Sequence, residues 1–352
     1  MDITSSSSAP IASESTGQAL NIVTVSDGDY AQHLSVMLLS LFENNRNHVV
    51  NAFIIVPEDM QEYCLDKIRN SVSEFSENLH FCRYPRITEK LQTTGHVTVA
   101  SYYWLPMGEI LPTDIHRVIY MDADILVRGD IGELWNFSLG NSVVGAVPDI
   151  VVSPPKKLEK YARAVRERLG LHPDAPYFNS GVLLVDLDRW RETRVGLDAF
   201  NFARCHADRM TFTEQCALNW VLRDRWTPLP ERWNLQTHMI VTFRWGFMDY
   251  SSDAKEQAQA ATIVHFTGDS KPWHYMNNHP LKREYLACLL RTEWKNYKFL
   301  DYSLRNFIRK NLYRFAPFMF RTHYMMRQRS PMWRRIWETG NPSRTVAHRG
   351  RG

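Results

Sequence analysis

The segment Val118-Ile119-Tyr120-Met121-Asp122-Ala123-Asp124 places two carboxylates two positions apart at the end of an aliphatic run. Side chains at a strand terminus are released from the ladder, so Asp122 and Asp124 can converge on one cation, and their hard oxygen donors suit Mn²⁺ or Mg²⁺. An ion held there would neutralise a departing diphosphate and act as a Lewis acid on the leaving group. One pair of unit charges 4 Å apart contributes roughly 4 kcal/mol at an effective dielectric of 20, enough to make such an ion decisive for a polyanionic substrate. Taken alone, an Asp-x-Asp triplet more often merely closes a strand and caps a turn. His265 ends another apolar stretch, and its neutral imidazole could add a third ligand. Lys271, six residues on, could place an ammonium on a phosphate, and Gly268 between them lets backbone approach closely. Asp149 and Asn179 carry the acceptors and donors that read hydroxyl groups, or else serve as caps and turns. In Thr213-Glu214-Gln215 the amide is a poor nucleophile, whereas the adjacent carboxylate is of the type that covalent catalysis uses. The same triplet also reads as a helix start, with Thr213 capping and Glu214 matching the dipole.

The elements that must position these residues alternate. Residues 20–26 (LNIVTVS) form a β-branched run ending in Asp27-Gly28-Asp29, and 30–45 then show helical spacing through Leu34, Met37, Leu38, Leu41 and Phe42. The order repeats with a strand at 49–56, Pro57 at a helix start, a helix of about twenty residues, and a strand at 80–84. Further strands are expected at 117–120, 142–148, 181–186 and 262–266, the last closing the α/β pattern. Such alternation predicts an α/β domain on a mostly parallel mixed sheet with helices on both faces, and ligands beyond the strands' C-terminal ends. No internal repeat is apparent.

Beyond Asp124 the chain continues Ile125-Leu126-Val127-Arg128-Gly129-Asp130-Ile131 with Leu134-Trp135, and in that context it resembles glycosyltransferase family 8, which includes bacterial lipopolysaccharide galactosyl- and glucosyltransferases and glycogenin. Further segments match in the family's order. Asp27-Gly28-Asp29-Tyr30 looks like its uridine-holding loop, and His96-Val97-Thr98 with Ser101-Tyr102 like its donor-contacting loop and following helix. Tyr177-Phe178-Asn179-Ser180-Gly181-Val182-Leu183-Leu184 resembles the strand lining the sugar pocket, with Trp190 in the next helix. Thr213-Glu214-Gln215-Cys216-Ala217-Leu218-Asn219 is similar to the helix start under the anomeric carbon, and His265-Phe266-Thr267-Gly268-Asp269-Ser270-Lys271-Pro272-Trp273 to the family's His-x-x-Gly-x-x-Lys-Pro-Trp block. The resemblance spans residues 20–280.

That resemblance implies a GT-A-like nucleotide-sugar-binding domain moving a hexose, with retention, from UDP-galactose or UDP-glucose to a hydroxyl of lipopolysaccharide or another cell-envelope saccharide, as an oligosaccharide or lipid-linked glycan acceptor. It implies Asp122, Asp124 and His265 as ligands of Mn²⁺, or of Mg²⁺. Asp27, Tyr30, His96, Val97, Ala123, Asp149, Asn179, Ser180, Gly268 and Lys271 would bind the donor. Gln215 beneath the sugar and Glu214 beside it are the catalytic candidates, with front-face displacement favoured over a covalent intermediate. Three positions depart from the family pattern: Trp104 stands where many relatives carry a donor-touching Arg, Asp29 where Asn is usual, and Glu214 where Asp is usual. Two other readings stay open, a non-catalytic nucleotide-sugar-binding protein at the membrane and a glycogenin-like self-glucosylating initiator.

Of 42 Lys/Arg and 38 Asp/Glu, fifteen basic and three acidic residues fall after residue 290, so a body of net charge −8 carries a tail of +12. That tail mixes Trp, Tyr, Phe and Met with Arg and Lys, as in Phe307-Ile308-Arg309-Lys310-Asn311-Leu312-Tyr313-Arg314-Phe315, and breaks at Pro317 and Pro331. Such helices suit an anionic membrane surface, with packing onto the catalytic domain as the second reading. Nucleic acid is disfavoured because no nucleic-acid module accompanies them. No run of eighteen apolar residues occurs, which argues against a spanning helix. Five cysteines without CxxC spacing argue against a disulfide framework or zinc site and for reduced thiols in the cytoplasm. With the basic aromatic tail, the expected place is peripheral on the inner face of the cytoplasmic membrane. The expected organisation is a disordered leader at 1–19, a catalytic domain at 20–290, a membrane-associating extension at 291–340 and a disordered tail at 341–352.

Overall fold

The computed structural model describes residues 19–315, apart from 88–90, 92, 94–98, 150–151, 153–158, 245–246 and 251–252. The leader and residues 316–352 therefore lie outside the described residues, as do His96 and Val97.

The main sheet has seven strands in the order β3-β2-β1-β4-β7-β6-β8. These are β1 (Leu20–Val25), β2 (Val50–Pro57), β3 (Leu79–Tyr84), β4 (Arg117–Met121), β6 (Val144–Pro148), β7 (Phe178–Asp186) and β8 (Trp226–Pro228). Six run parallel, and β7 alone is reversed, pairing antiparallel with both β4 and β6. Both faces of the sheet are covered, which is why its central strands read as continuous apolar runs. Ile22, Ile119, Met121, Val182 and Leu184 pack on one side with the helices Ala31–Asn44 and Glu62–Ser71. Val23, Val118, Tyr120, Leu183 and Val185 pack on the other with Val195–Cys205 and Thr213–Val221.

A second sheet of three short strands, β5 (Ile125–Val127), β12 (Ile263–His265) and β9 (Leu235–Gln236), stands apart with β12 in its centre. A hairpin of β10 (Val241–Arg244) and β11 (Phe247–Tyr250) completes the strands. The helix Ala31–Asn44 is buried along nearly its whole length because it packs against β5 and the helices Glu62–Ser71 and Lys282–Leu289 as well as the main sheet. Its polar C-terminal end ties β5 down. Ser40 Oγ accepts from Val127 N (3.1 Å), Asn44 Nδ2 donates to Val127 O (3.2 Å), and Asn45 Oδ1 accepts from Ile131 N (2.9 Å).

Two sequence expectations change here. Residues 262–266 do not close the main sheet, because β5 leaves it and needs a partner strand of its own. Pro57 ends β2, paired with Tyr84, and the following helix begins only at Glu62 and runs ten residues to Ser71 before a 3₁₀ turn. Packing also continues past residue 290: Tyr297 Oη donates to Trp273 O (2.7 Å), and the Asp301 carboxylate accepts from Tyr275 N and Met276 N (2.6 and 3.1 Å).

Candidate active site

The Asp122-Ala123-Asp124 turn is the crossing from one sheet to the other. Asp122 N still donates to Gly181 O at 2.9 Å, so Asp122 is the last residue tied to the main sheet. Asp124 O accepts from Phe266 N at 3.1 Å, and the antiparallel register sets His265 opposite Ile125. Register alone thus brings a histidine 141 positions from Asp124 into contact with it. His265 Nε2 lies 3.2 Å from Asp124 Oδ1 and 3.6 Å from Asp122 Oδ2, and one ligand atom from each residue falls within 4.8 Å of the others. Two carboxylates and an imidazole form a donor set suited to Mn²⁺ or Mg²⁺. Gly181 on β7 makes room for it, since a Cβ there would stand 2.1 Å from His265 Cε1 and 2.8 Å from Asp122 Oδ2.

The local charges are unevenly shared. Lys271 Nζ donates to Asp124 Oδ2 (2.5 Å) and to Phe266 O (2.7 Å), deep in the protein. Burial alone would raise the Asp124 carboxyl, but the Lys271 ammonium and the His265 imidazole hold it well below the usual range. Asp122 is pushed up by burial and by the neighbouring Asp124 charge, against the pull of His265. His265 is raised, the two carboxylates outweighing its burial. Tyr120 Oη donates to Asp122 Oδ1 (2.7 Å), and Trp104 stacks on the Tyr120 ring with centroids 3.9 Å apart. Trp104 is fully buried, so it backs the Tyr120 ring that holds Asp122.

Beside this cluster β7 begins with Phe178-Asn179-Ser180-Gly181, four residues that are buried although two are polar. Asn179 Nδ2 donates to Asp149 Oδ2 and to Gln215 Oε1, both at 3.1 Å, and Gln215 Nε2 donates to the same Asp149 oxygen at 3.1 Å. Ser180 N donates to Gln215 Oε1 (3.1 Å) and Ser180 Oγ to Glu214 Oε1 (3.2 Å). Glu214 and Gln215 open the helix Thr213–Val221, with Phe212 rather than Thr213 in the capping position and no side-chain cap. Burial, then the Asp122 charge, pushes Glu214 up to about 7.

The loop after β1 is set by Asp27, whose Oδ1 accepts from Tyr30 N at 3.0 Å. Tyr30 meets the edges of His33 and Trp273, and those two rings stack at 3.5 Å. Gly268 adopts φ +84°, with His238 directly behind its missing Cβ at 3.0 Å. Asp122, Asp124, His265 and Lys271 therefore form one group, Ala123 is buried between the carboxylates, and Asp149, Asn179, Ser180, Glu214 and Gln215 form a second network that meets the first at Gly181. Gly181, Tyr120, His238 and Asn234 join the site without a sequence signal that marks them individually. Asn234 Oδ1 faces His265 Nδ1 at 3.2 Å and its Nδ2 donates to Asn179 Oδ1 at 2.9 Å, and no motif in 231–237 announces it.

A family model described as glycosyl transferase family 8 matches residues 21–277, which include the whole of this site. The chain belongs to glycosyl transferase family 8. It is a glycosyltransferase. It is 27% identical over 286 residues to general stress protein A of Bacillus subtilis (strain 168), covering 79% of this chain and 95% of that one. It is 26% identical over 291 residues to lipopolysaccharide 1,2-glucosyltransferase of Escherichia coli (strain K12), covering 81% and 82%. The crystal structure of the galactosyltransferase LgtC in complex with donor and acceptor sugar analogues superposes with a TM-score of 0.63 at 19% identity, covering 78% of this chain and 96% of that one. The fold is thus GT-A, as the family resemblance implied.

Proposed function

We propose that this glycosyltransferase moves galactose or glucose from its UDP form, with retention and with Mn²⁺ or Mg²⁺, to a hydroxyl of a cell-envelope glycan such as lipopolysaccharide. The observation that carries the reading is the Asp122–Asp124–His265 cluster beside Lys271 in a family 8 domain. The donor set fits a divalent ion, and the space that Gly181 leaves beside His265 and Asp122 is what such a cluster requires. When bound, the ion would supply Lewis-acid stabilisation of the departing diphosphate. Lys271 would exchange part of its contact with Asp124 for the β-phosphate, and Asp27 and Tyr30 would hold the uridine. Asp149, Asn179 and Ser180 would read the sugar hydroxyls, with His96, Val97, Ala123 and Gly268 lining the donor. Gln215 has its oxygen occupied by Asn179 and Ser180 and its amino group by Asp149, which suits a fixed wall beneath the sugar better than a nucleophile. Front-face displacement, with the leaving diphosphate taking the acceptor proton, needs no attacking side chain.

The names of the Escherichia coli relatives support an envelope acceptor. A peripheral place on the inner face of the cytoplasmic membrane is supported by the tail charge and by Leu300, Leu304, Phe307 and Ile308, exposed on and just before the helix Leu304–Phe315 alongside Arg305 and Arg309. Among the described residues no helix is long and apolar enough to cross a membrane. The deciding test is a panel of UDP-sugars incubated with purified protein and Mn²⁺ while UDP release is followed. UDP-galactose or UDP-glucose should be turned over, and Asp122→Ala should lower the rate by at least ~100-fold. Binding without turnover, with every acceptor and with water, would leave only a nucleotide-sugar-binding protein.

A further inference from the structure

Asn219 lies one turn beyond Gln215 on the helix Thr213–Val221 and is only 2% exposed. We infer that Asn219 is a positioning residue for the sugar subsite: its amide takes the place of a missing strand partner and so sets where Asn179, Ser180 and Gln215 stand. The inference rests on the proposed roles of those three residues in holding the donor sugar.

The need for such a residue arises in the main sheet. β6 passes from Ala146, opposite Leu183, to Pro148, opposite Phe178, so the ladder skips residues 179–182 of β7. Pro148 has no N–H to offer. On the other side β4 ends at Met121, opposite Val182, and the last bond from there is Asp122 N to Gly181 O. Phe178, Asn179 and Ser180 are buried all the same, so their backbone groups need partners from outside the sheet.

The helix supplies them. Asn219 Oδ1 accepts from Phe178 N at 2.8 Å, and Asn219 Nδ2 donates to Phe178 O at 2.9 Å. Four residues earlier, Gln215 Oε1 accepts from Ser180 N at 3.1 Å. Residues four apart on a helix share a face about 6 Å apart, and alternate residues of a strand are about 6.6 Å apart. The two spacings match, so two side-chain amides stand against β7 as a neighbouring strand would. Asn219 cannot be turned over. Phe178 N only donates, Phe178 O only accepts, and the other hydrogen of Nδ2 goes to Gln215 O at 2.9 Å.

Gln215 in turn holds Asn179 on its oxygen and Asp149 on its amino group. A slip of the helix along β7 would therefore displace these groups together. The ion cluster is tied separately, by Asp122 N to Gly181 O and by the register of β12 on β5. Loss of the Asn219 amide should accordingly damage handling of the sugar and spare that of UDP.

The experiment uses the full-length protein with Mn²⁺ and the nearly isosteric variant Asn219→Leu, which leaves both backbone groups of Phe178 without a partner. Turnover of UDP-galactose and UDP-glucose should fall in kcat by about 100-fold, the effect of a misplacement of about 1 Å. The preference between the two sugars should narrow, while UDP affinity measured by calorimetry stays at the native value. Hydrogen exchange at the Phe178 and Ser180 amides, slow in the native protein, should become fast. A folded variant with native kcat and native sugar preference overturns the inference. So does an equal loss of affinity for UDP and UDP-sugars, which is what a merely weakened fold would give. If Asn219→Leu does not fold, Asn219→Ser, whose hydroxyl is too short to span both groups of Phe178, decides on the same readouts. A native protein that turns over no UDP-sugar sinks the proposed reaction and leaves the exchange experiment to decide the positioning role: fast exchange in the variant supports it, and unchanged exchange overturns it.

Discussion

Gly181 decides whether the ion cluster can exist at all, because β7 passes so close to His265 that a methyl group would overlap its ring. Overpacking of this kind costs about 1–3 kcal/mol and moves whichever neighbour yields, here a proposed ligand. Gly181→Ala is expected to melt at lower temperature and to lose Mn²⁺ binding and sugar transfer together; a folded variant that binds Mn²⁺ normally would show that His265 is not needed where it stands. Glu214 makes a second prediction, about pH. Burial, and next the Asp122 charge, lifts its carboxyl from 4.5 to about 7, so the folded protein keeps a proton that the unfolded chain has already released. Whenever the folded state binds more protons, stability falls as pH rises. The loss attributable to Glu214 should run from about pH 4.5 to about pH 7 and amount to about 3 kcal/mol when complete. Glu214→Gln removes it, so the variant should gain stability relative to the native protein across that window in urea unfolding. A difference that does not change with pH would contradict the assignment.

At the scale of elements, the ion cluster depends on β5, three residues long and held by the end of a helix rather than by its own pairing alone. Asn45→Ala strands the buried Ile131 N–H, an error that costs about 1–3 kcal/mol. Since β5 sets the register of β12 and hence of His265, the urea midpoint and the Mn²⁺ affinity should fall in parallel; a fall in stability alone would mean that β12 keeps its place without this anchor. The same element explains what was legible in the sequence. β1, β2, β4 and β7 were readable because strands covered on both faces must be apolar throughout, and the carboxylates of Asp122 and Asp124 stood out because they end such a run. A three-residue strand has no such pattern, and β5, β9 and β12 pair only because distant segments meet, so the sequence shows a strand at 262–266 but not the sheet it joins. Pro57 suggested a helix start, but pairing with β3 extends the strand through it. Asn234 and Tyr120 were invisible as site residues because their importance lies in what they touch, not in any spacing along the chain.

For the whole molecule, the basic segment is not simply appended to the body. Asp301 binds the backbone of Tyr275 and Met276, Tyr297 binds Trp273 O, and the Lys282 and Lys310 ammonium groups both cap Tyr275 O. These contacts grip residues 273–277, immediately after Lys271. Tyr275 also packs edge-on against Phe299 and Tyr302, and Lys310 lies over its ring. A chain cut after residue 290 loses this grip and should bind UDP-sugars more weakly even in solution, whereas a chain cut after residue 315 keeps it. Residues 316–352 carry eight of the fifteen basic residues and one of the three acidic ones that follow residue 290. At about 1 kcal/mol for each cation near an anionic surface, losing even three engaged charges weakens membrane partitioning by roughly 100-fold. The 1–315 protein should therefore turn over UDP-sugar with a soluble acceptor at close to the full-length rate, yet sediment with phosphatidylglycerol vesicles at least ~100-fold less well, and the full-length protein should be released by salt. Equal sedimentation of the two chains would place membrane contact elsewhere. Lost turnover in the 1–315 chain would mean that the grip on 273–277 needs more of the tail than residues 297–310.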